Sequence, residues 1–447
     1  MAEAWLRYVF LAVVAQLCIV APTWALDLLE SYDAALTADA EYRAARAAAE
    51  SGRELLPLAR AQLLPSISLS AARMHNDLTT QTQNLLGQPV SFDSQYISKN
   101  YALSLRQPLY RPQLYSGYLQ AIARVEGVEA VFDKAGQELA IRVMAAYLNV
   151  LLAEEGLRQV ESQRAAIEAQ LAAAQRALAA GQGTRTDIDD AQARLDLNQA
   201  RHLGARQQIE QARHELAALI DRPIGPLRLL DGRRLVLRAP QPEDLAAWIA
   251  RAESASPELR EARARIEAAR HEVDRARGGH KPTLDLVVQR SVSASDNVTN
   301  PNNRYDNNQI GVQVVVPLFA GGYVDAQVRQ AQAALEEAEE RYEAARRKLA
   351  NQVRKEFQGV QQGILKIRAL EIAERSAEQS VLSNEKGYLA GTRSRLDILN
   401  AQEARANTRL ELARERLLYV MSHARLLSLC GALDRAAIAE MNLWLAE

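Results

Sequence analysis

Acidic, basic and hydroxyl side chains recur in one short pattern at two places in this chain. The segment AGQGTRTDIDDAQ (180–192) returns as AGTRSRLDILNAQ (390–402), so that Asp187 and Asp397 stand 210 positions apart. These residues offer charge and hydrogen bonding beside turn-forming glycines. Nothing elsewhere in the chain adds a catalytic constellation. There is no phosphate-binding Gly-Lys-Ser/Thr loop, no nucleophile elbow and no clustering of metal ligands. The six histidines (His75, His202, His214, His271, His280, His423) are scattered, as solvated or packed residues are. An enzyme is not expected, nor is a cofactor.

The bulk numbers narrow the remaining classes. The 447 residues are 48% hydrophobic but only 5% aromatic, with Ala and Leu supplying most of the apolar content, which favours long helices over a large globular core. The 54 basic and 55 acidic residues are interspersed, giving a net charge of −1. Without a basic excess to hold phosphate backbones, nucleic acid is not an expected partner. Residues 1–25 read as an export signal. Arg7 precedes an apolar stretch from Tyr8 to Ala21, and Thr23-Trp24-Ala25 sets small residues before a cut at Leu26. Leu17 is bulky where a lipoprotein signal needs a small residue before Cys18, so lipidation is not expected. Cleavage leaves one cysteine, Cys430, which cannot form an intrachain disulfide. No later stretch approaches the ~18 uninterrupted apolar residues of a membrane-spanning helix.

The repeated segments sit within larger repeats. A helical pattern from Leu26 to about Leu64 stops at Pro65. Alternation then marks strands at about 66–74 and 99–107, on either side of a polar stretch. In the second half, strands are expected at about 283–292 and 309–316, joined by the polar loop 293–308. Each strand is apolar on one face and small or polar on the other, as a membrane barrel with a wet interior requires. Seven of the 14 tyrosines (Tyr96, Tyr101, Tyr110, Tyr115, Tyr118, Tyr305, Tyr323) lie in or beside these strands, where an interfacial girdle would sit. Four strands cannot close a barrel, for which ~8 is the usual minimum, so a barrel must be shared between chains. Long helical patterns follow, about 115–178 and 323–389, each on the order of 100 Å at ~1.5 Å per residue. They turn at glycine tips (181–187 and 391–397) into returning helices. The expected organisation is therefore a first repeat at 26–220, a Pro- and Gly-punctuated connection at 221–242, a second repeat at 243–430, and a short tail at 431–447. The fold class is mainly α with a small β part.

The chain resembles TolC-family outer-membrane channel proteins over nearly all of its mature length. The residues that carry the resemblance are Val316-Pro-Leu-Phe-Ala-Gly-Gly322 with Gln327-Val-Arg-Gln-Ala331, and Tyr388-Leu-Ala-Gly-Thr-Arg393 with Asp397-Ile-Leu399. Gln107-Pro-Leu-Tyr110 and Thr186-Asp-Ile188 are their first-repeat partners. The resemblance implies a homotrimer with a twelve-stranded outer-membrane barrel and a long periplasmic helical tunnel, closed at its tip. It also implies docking to an inner-membrane pump or ATP-driven transporter through a periplasmic adaptor protein. By the same resemblance Asp397 lines the pore constriction, where three copies form a ring of carboxylates. Asn400 stands where many relatives carry a second aspartate, and Asp190, its first-repeat counterpart, could restore that charge. Tyr388 and Arg393 match a gating network tied to Thr186 and Asp187, with Gln170 and Glu385 as a further link. Gly181 and Gly391 match the positions an adaptor approaches. Two uses stay open for such a duct, small-molecule efflux and one-step (type I) protein secretion. The rival reading from another class is a periplasmic structural or adaptor coiled-coil protein. Adaptors usually carry one hairpin between compact β-domains, whereas this chain has two hairpins and two strand pairs.

Overall fold

The computed structural model describes residues 25–295 and 303–446. The expected export signal lies outside the described residues but for Ala25. The chain separates into two compact units, the first made of residues up to Ala47, Phe132–Pro257 and Arg346 onward, the second of Ala48–Val131 and Glu258–Ala345. Helices α1 (Leu28–Ala38), α2 (Ala40–Arg53) and α3 (Leu55–Ala61) lead to strands β1 (Ser66–Gln83) and β2 (Pro89–Tyr110). Helix α4 (Pro112–Ala179) and helix α5 (Arg185–Ile220) form the first helical pair. After α6 (Leu245–Ala255) and α7 (Pro257–Arg277) come β3 (Thr283–Ser295) and β4 (Asn303–Val315). The second pair, α8 (Tyr323–Leu389) and α9 (Arg395–Leu429), precedes a last helix, α10 (Arg435–Asn442). Among the described residues no helix is long and apolar enough to cross a membrane.

The second unit holds one antiparallel sheet in the order β1-β2-β3-β4. Its register aligns the alternation of all four strands. One rung reads Ile67, Leu105, Val288, Ile310 across the whole sheet, while the next reads Ser68, Ser104, Gln289, Gln309. Directly opposed residues of antiparallel strands share a face, so the sheet has an apolar and a polar side. The apolar side is not covered by any of the described residues: Ile67 is 69% and Ile310 is 76% exposed. β1 and β4 each leave one edge without a partner strand among the described residues.

The strands are longer than their alternation indicates. β1 continues nine residues beyond Met74, through His75–Gln83, and β2 begins at Pro89, so most of the stretch read as a polar loop is a hairpin. The reason is that Thr and Ser pair well across strands when both faces are wet, as where Thr79 Oγ1 donates to Asp93 at 2.7 Å. Likewise β3 runs on to Ser295 and β4 starts at Asn303, shortening the loop read at 293–308. At the other end of the sheet, Asp285 is 1% exposed and accepts hydrogen bonds from two guanidinium groups. Arg106 Nη2 lies at 2.6 Å and Arg111 Nη2 at 2.5 Å. A carboxylate can be buried here because both its oxygens are satisfied by positive partners.

The first unit has a helical core that includes Leu139, Met144, Tyr147, Leu216, Leu412 and Leu426. Two buried tyrosines fasten the connection between the repeats. Tyr147 Oη lies within hydrogen-bonding distance of the Leu26 (3.1 Å) and Arg228 (2.8 Å) carbonyls. Tyr419 Oη accepts from the Arg238 amide at 3.0 Å and lies 3.1 Å from the Arg238 carbonyl. Single bridges, Leu26 with Leu227 and Leu230 with Leu445, tie the same connection to both chain ends. Residues 431–446, read from sequence as a tail, contain α10, whose Ile438 and Met441 are buried together with Leu433 and Trp444. The apolar spacing of this segment covers barely two helical turns, too short a window for periodicity to reveal. Cys430 is buried, and desolvation pushes its thiol up to about 11, so it packs as a core residue.

Candidate functional site

The two repeated segments form two tips in the first unit, and they are built the same way. Helix α4 ends where Gly181 takes φ +71°, with Gly181 N–H donating to the Leu178 carbonyl and Gln182 N–H to Ala177 at 2.9 Å. Helix α8 ends where Gly391 takes φ +76°, with Gly391 N–H on Tyr388 and Thr392 N–H on Gly387 at 2.8 Å. Both are left-handed positions, which side-chain-bearing residues adopt at a cost, and the hydrogen bonds satisfy the last helical carbonyls.

The returning helices start with matched capping boxes. The Asp187 carboxylate accepts from the Thr184 amide (3.0 Å) and hydroxyl (2.7 Å), while Asp187 N–H donates back to Thr184 Oγ1. Asp397 does the same with Ser394, at 2.8 Å to the amide and 2.8 Å to the hydroxyl. These bonds favour the ionised carboxylates and hold both below the usual aspartate range. For Asp187 the Thr184 hydroxyl contributes most. For Asp397 the Ser394 backbone amide leads, and the Arg393 charge adds to it. The pattern Thr184-x-x-Asp187 and Ser394-x-x-Asp397 is legible in the sequence as a helix start. It gives these aspartates a local task that the family resemblance does not mention.

The other expected site residues divide. Asp190 and Asn400 stand one turn beyond Asp187 and Asp397, both exposed, and neither has a side-chain partner among the described residues. Tyr388 Oη accepts from Arg395 Nε at 2.7 Å, and the Arg395 guanidinium lies 5.1 Å from the Tyr388 ring centroid. Nothing in the sequence points to Arg395, because its seven-residue spacing from Tyr388 crosses the tip turn and does not lie along one continuous helix. Arg393 and Thr186 make no side-chain hydrogen bond or ion pair among the described residues. Among the described residues, then, no hydrogen bond or ion pair joins Tyr388 and Arg393 to Thr186 and Asp187. Gln170 has a buried amide oxygen without a partner. Glu385 borders a cavity of about 740 Å³ between the two helical pairs. A Cβ built on Gly181 or Gly391 would meet nothing within 4 Å, so both tips are open to close approach.

One pair of positions differs between the tips in a compensating way. In the second, a Cβ on Gly387 would fall 2.6 Å from Arg393 Cγ. The first tip has Ala177 and Gly183 at the matching places, and there a Cβ on Gly183 would fall 3.1 Å from Ala177 Cβ. Each turn has room for one side chain at this crossing, and only the second gives it to an arginine.

A sequence profile of the family described as outer membrane efflux protein matches residues 31–222 and 248–432. The chain is 34% identical to the alkaline protease secretion protein AprF of Pseudomonas aeruginosa, over 92% of this chain and 86% of that protein. It is 30% identical to the proteases secretion protein PrtF of Dickeya chrysanthemi, over 94% of this chain and 91% of that one. Among solved structures, the outer membrane protein VceC of Vibrio cholerae superposes with a TM-score of 0.77 at 19% identity. That match covers 91% of this chain and 97% of VceC.

Proposed function

The chain belongs to the outer membrane efflux protein family, and from that premise we propose that it forms the passive outer-membrane exit duct of a tripartite export system that secretes protein. It is a channel protein and not an enzyme. The observation that carries the reading is the open four-stranded sheet, with an uncovered apolar side and two unpaired edges. In lipid an unpaired edge costs several kcal/mol for each unsatisfied backbone group. Pairing β1 of one copy with β4 of the next removes every edge, and three copies give a twelve-stranded barrel. Protein secretion is favoured over small-molecule efflux because AprF and PrtF, both at least 30% identical, carry secretion of proteases in their names.

The tips supply the gate. Three copies of Asp397, held ionised by Ser394, make a ring of negative charge at the narrowest point. Asp190 supplies the charge that Asn400 does not. Arg393, which makes no ion pair among the described residues, reaches Asp187 or Thr186 of a neighbouring tip, and Tyr388 holds Arg395 at the same tip. Glu385 and Gln170 lie deeper and support the hairpins. A periplasmic adaptor approaches at Gly181 and Gly391, and an inner-membrane transporter supplies the energy.

Conductance of the purified protein in a planar bilayer tests the reading. Small cation-selective openings are expected for the wild type, with Asp397→Asn lowering selectivity and Arg393→Ser raising closed-state current. A protein that never inserts would return the helices to a structural or adaptor role. Comparison of the culture medium from cells with and without the gene separates the two cargoes. A secreted protein lost with the gene and restored by its return indicates secretion. An unchanged medium with raised drug sensitivity indicates efflux.

A further inference from the structure

One rung of the sheet breaks the character of its face. Arg73 of β1 stands directly opposite Lys99 of β2, Lys99 opposite Ala294 of β3, and Ala294 opposite Arg304 of β4. Opposed residues share a face and side chains alternate with period two, so this rung lies on the same side as Ile67, Leu105, Val288 and Ile310. Three exposed cations therefore sit on the apolar side of the sheet.

They mark the place where that side ends. Along β3 it runs from Leu284 through Leu286, Val288 and Val292 to Ala294, and Arg290 within it is paired with Asp306 at 3.1 Å. The ten steps from Leu284 to Ala294 (294 − 284) cover about 33 Å of strand at ~3.3 Å each. At the ~40° tilt of a barrel strand this is about 25 Å of height, which is that of the apolar band of an outer-membrane barrel. Tyr101 stands on the preceding rung of the same face, where an interfacial aromatic belongs. The opposite end of the band closes on Tyr110, Leu284 and Val314, a rung without a cation. That end adjoins the helices, and the cationic end lies toward the β1–β2 turn.

Exposed cations by themselves are solvated cations. What sets these apart is an opposition that the chain leaves unrelieved. Like charges directly across a strand pair are destabilising, and Arg73 faces Lys99 with no acid on their rung. The acids that share this face are engaged elsewhere: Asp306 with Arg290, Asp77 with His75 at 3.6 Å, and Asp93 with Thr79 at 2.7 Å. Arg73, Lys99 and Arg304 make no ion pair or hydrogen bond among the described residues. At the edge of an apolar band the surrounding medium is the headgroup layer, whose phosphates match guanidinium and ammonium groups. We infer that Arg73, Lys99 and Arg304 bind the phosphate groups of a lipid in the outward-facing leaflet, with its acyl chains along the apolar side. Ala294, small and between Lys99 and Arg304, leaves room for the headgroup. The inference rests on the reading of the sheet as part of a membrane barrel.

Native mass spectrometry of the full-length protein in detergent tests it, with diphosphoryl lipid A and the same lipid stripped of its phosphates. The diphosphoryl form should bind at least about tenfold more tightly, and Arg73→Gln with Lys99→Gln and Arg304→Gln should remove that difference. Arg194→Gln with Arg201→Gln, which takes cations from the other unit, should preserve it. Equal affinity of the wild type for the two lipids overturns the inference, whether or not the variants fold. Bilayer recordings separate this failure from that of the barrel. Protein that forms channels but does not discriminate the two lipids overturns the site alone, and protein that never inserts overturns both.

Discussion

Asp285 and Tyr147 show how single side chains hold this protein, and they do so by opposite means. Asp285 is buried and charged, with both oxygens taken by Arg106 and Arg111. Asp285→Asn would leave two guanidinium groups facing a neutral amide. The expected loss is about 3 kcal/mol of stability, read as a lower melting temperature in detergent. Tyr147 is buried and neutral, and desolvation holds its hydroxyl protonated far above the ordinary tyrosine range, so it remains a donor at every working pH. Tyr147→Phe removes the hydroxyl that meets the Leu26 and Arg228 carbonyls. It should cost about 1–3 kcal/mol and raise protease cleavage in residues 221–242. Unchanged cleavage would mean that the connection is held by its backbone bridges alone.

At the scale of elements, the helix starts at Arg185 and Arg395 depend on ionised carboxylates. Folding depresses the pKa of Asp187 and Asp397, so their contribution is full above the unfolded value of about 3.9 and is lost as pH falls through the lower folded value. Amide exchange at residues 184–190 and 394–400 should therefore be protected at neutral pH. Thr184→Ala and Ser394→Ala should lose this protection at pH 7, and the wild type should come to resemble them once the pH falls below the depressed folded values. The crossing of Gly387 and Arg393 makes a separate prediction. Gly387→Ala would push Arg393 from its place, so it should reproduce the bilayer leak of Arg393→Ser, whereas Gly183→Ala should strain the first turn without that leak. Equal conductance for Gly387→Ala and wild type would remove Arg393 from the gate.

For the whole molecule, the sheet requires partners. Heat-modifiable trimers should be recovered from the outer-membrane fraction, and a proline at Val312, on edge strand β4, should abolish them by removing a backbone donor. Much of this was legible in the sequence because its signals are periodic. The 210-residue repeat announced two hairpins, and Ile310, Val312 and Val314 announced a strand with one apolar face. The resemblance carried by Tyr388–Arg393 and Asp397 agrees with the family match. What escaped was set by contacts without period. The Thr- and Gln-rich stretch is held by backbone pairing with Pro89–Ile97, α10 buries Ile438 and Met441 within barely two turns, and Arg395 finds Tyr388 across a turn. The sheet also has a consequence for what meets the outside of the cell. β1 and β2 run on together for nine residue pairs beyond Met74 and Ser98, to Gln83 and Pro89, and their hairpin ends in a turn where Leu85 is 107% and Leu86 is 83% exposed. Large apolar side chains held out at the end of a ribbon are a ready point of attachment. Three such tips would give the rim of the assembly a repeated greasy landmark, offered to whatever reaches the cell first.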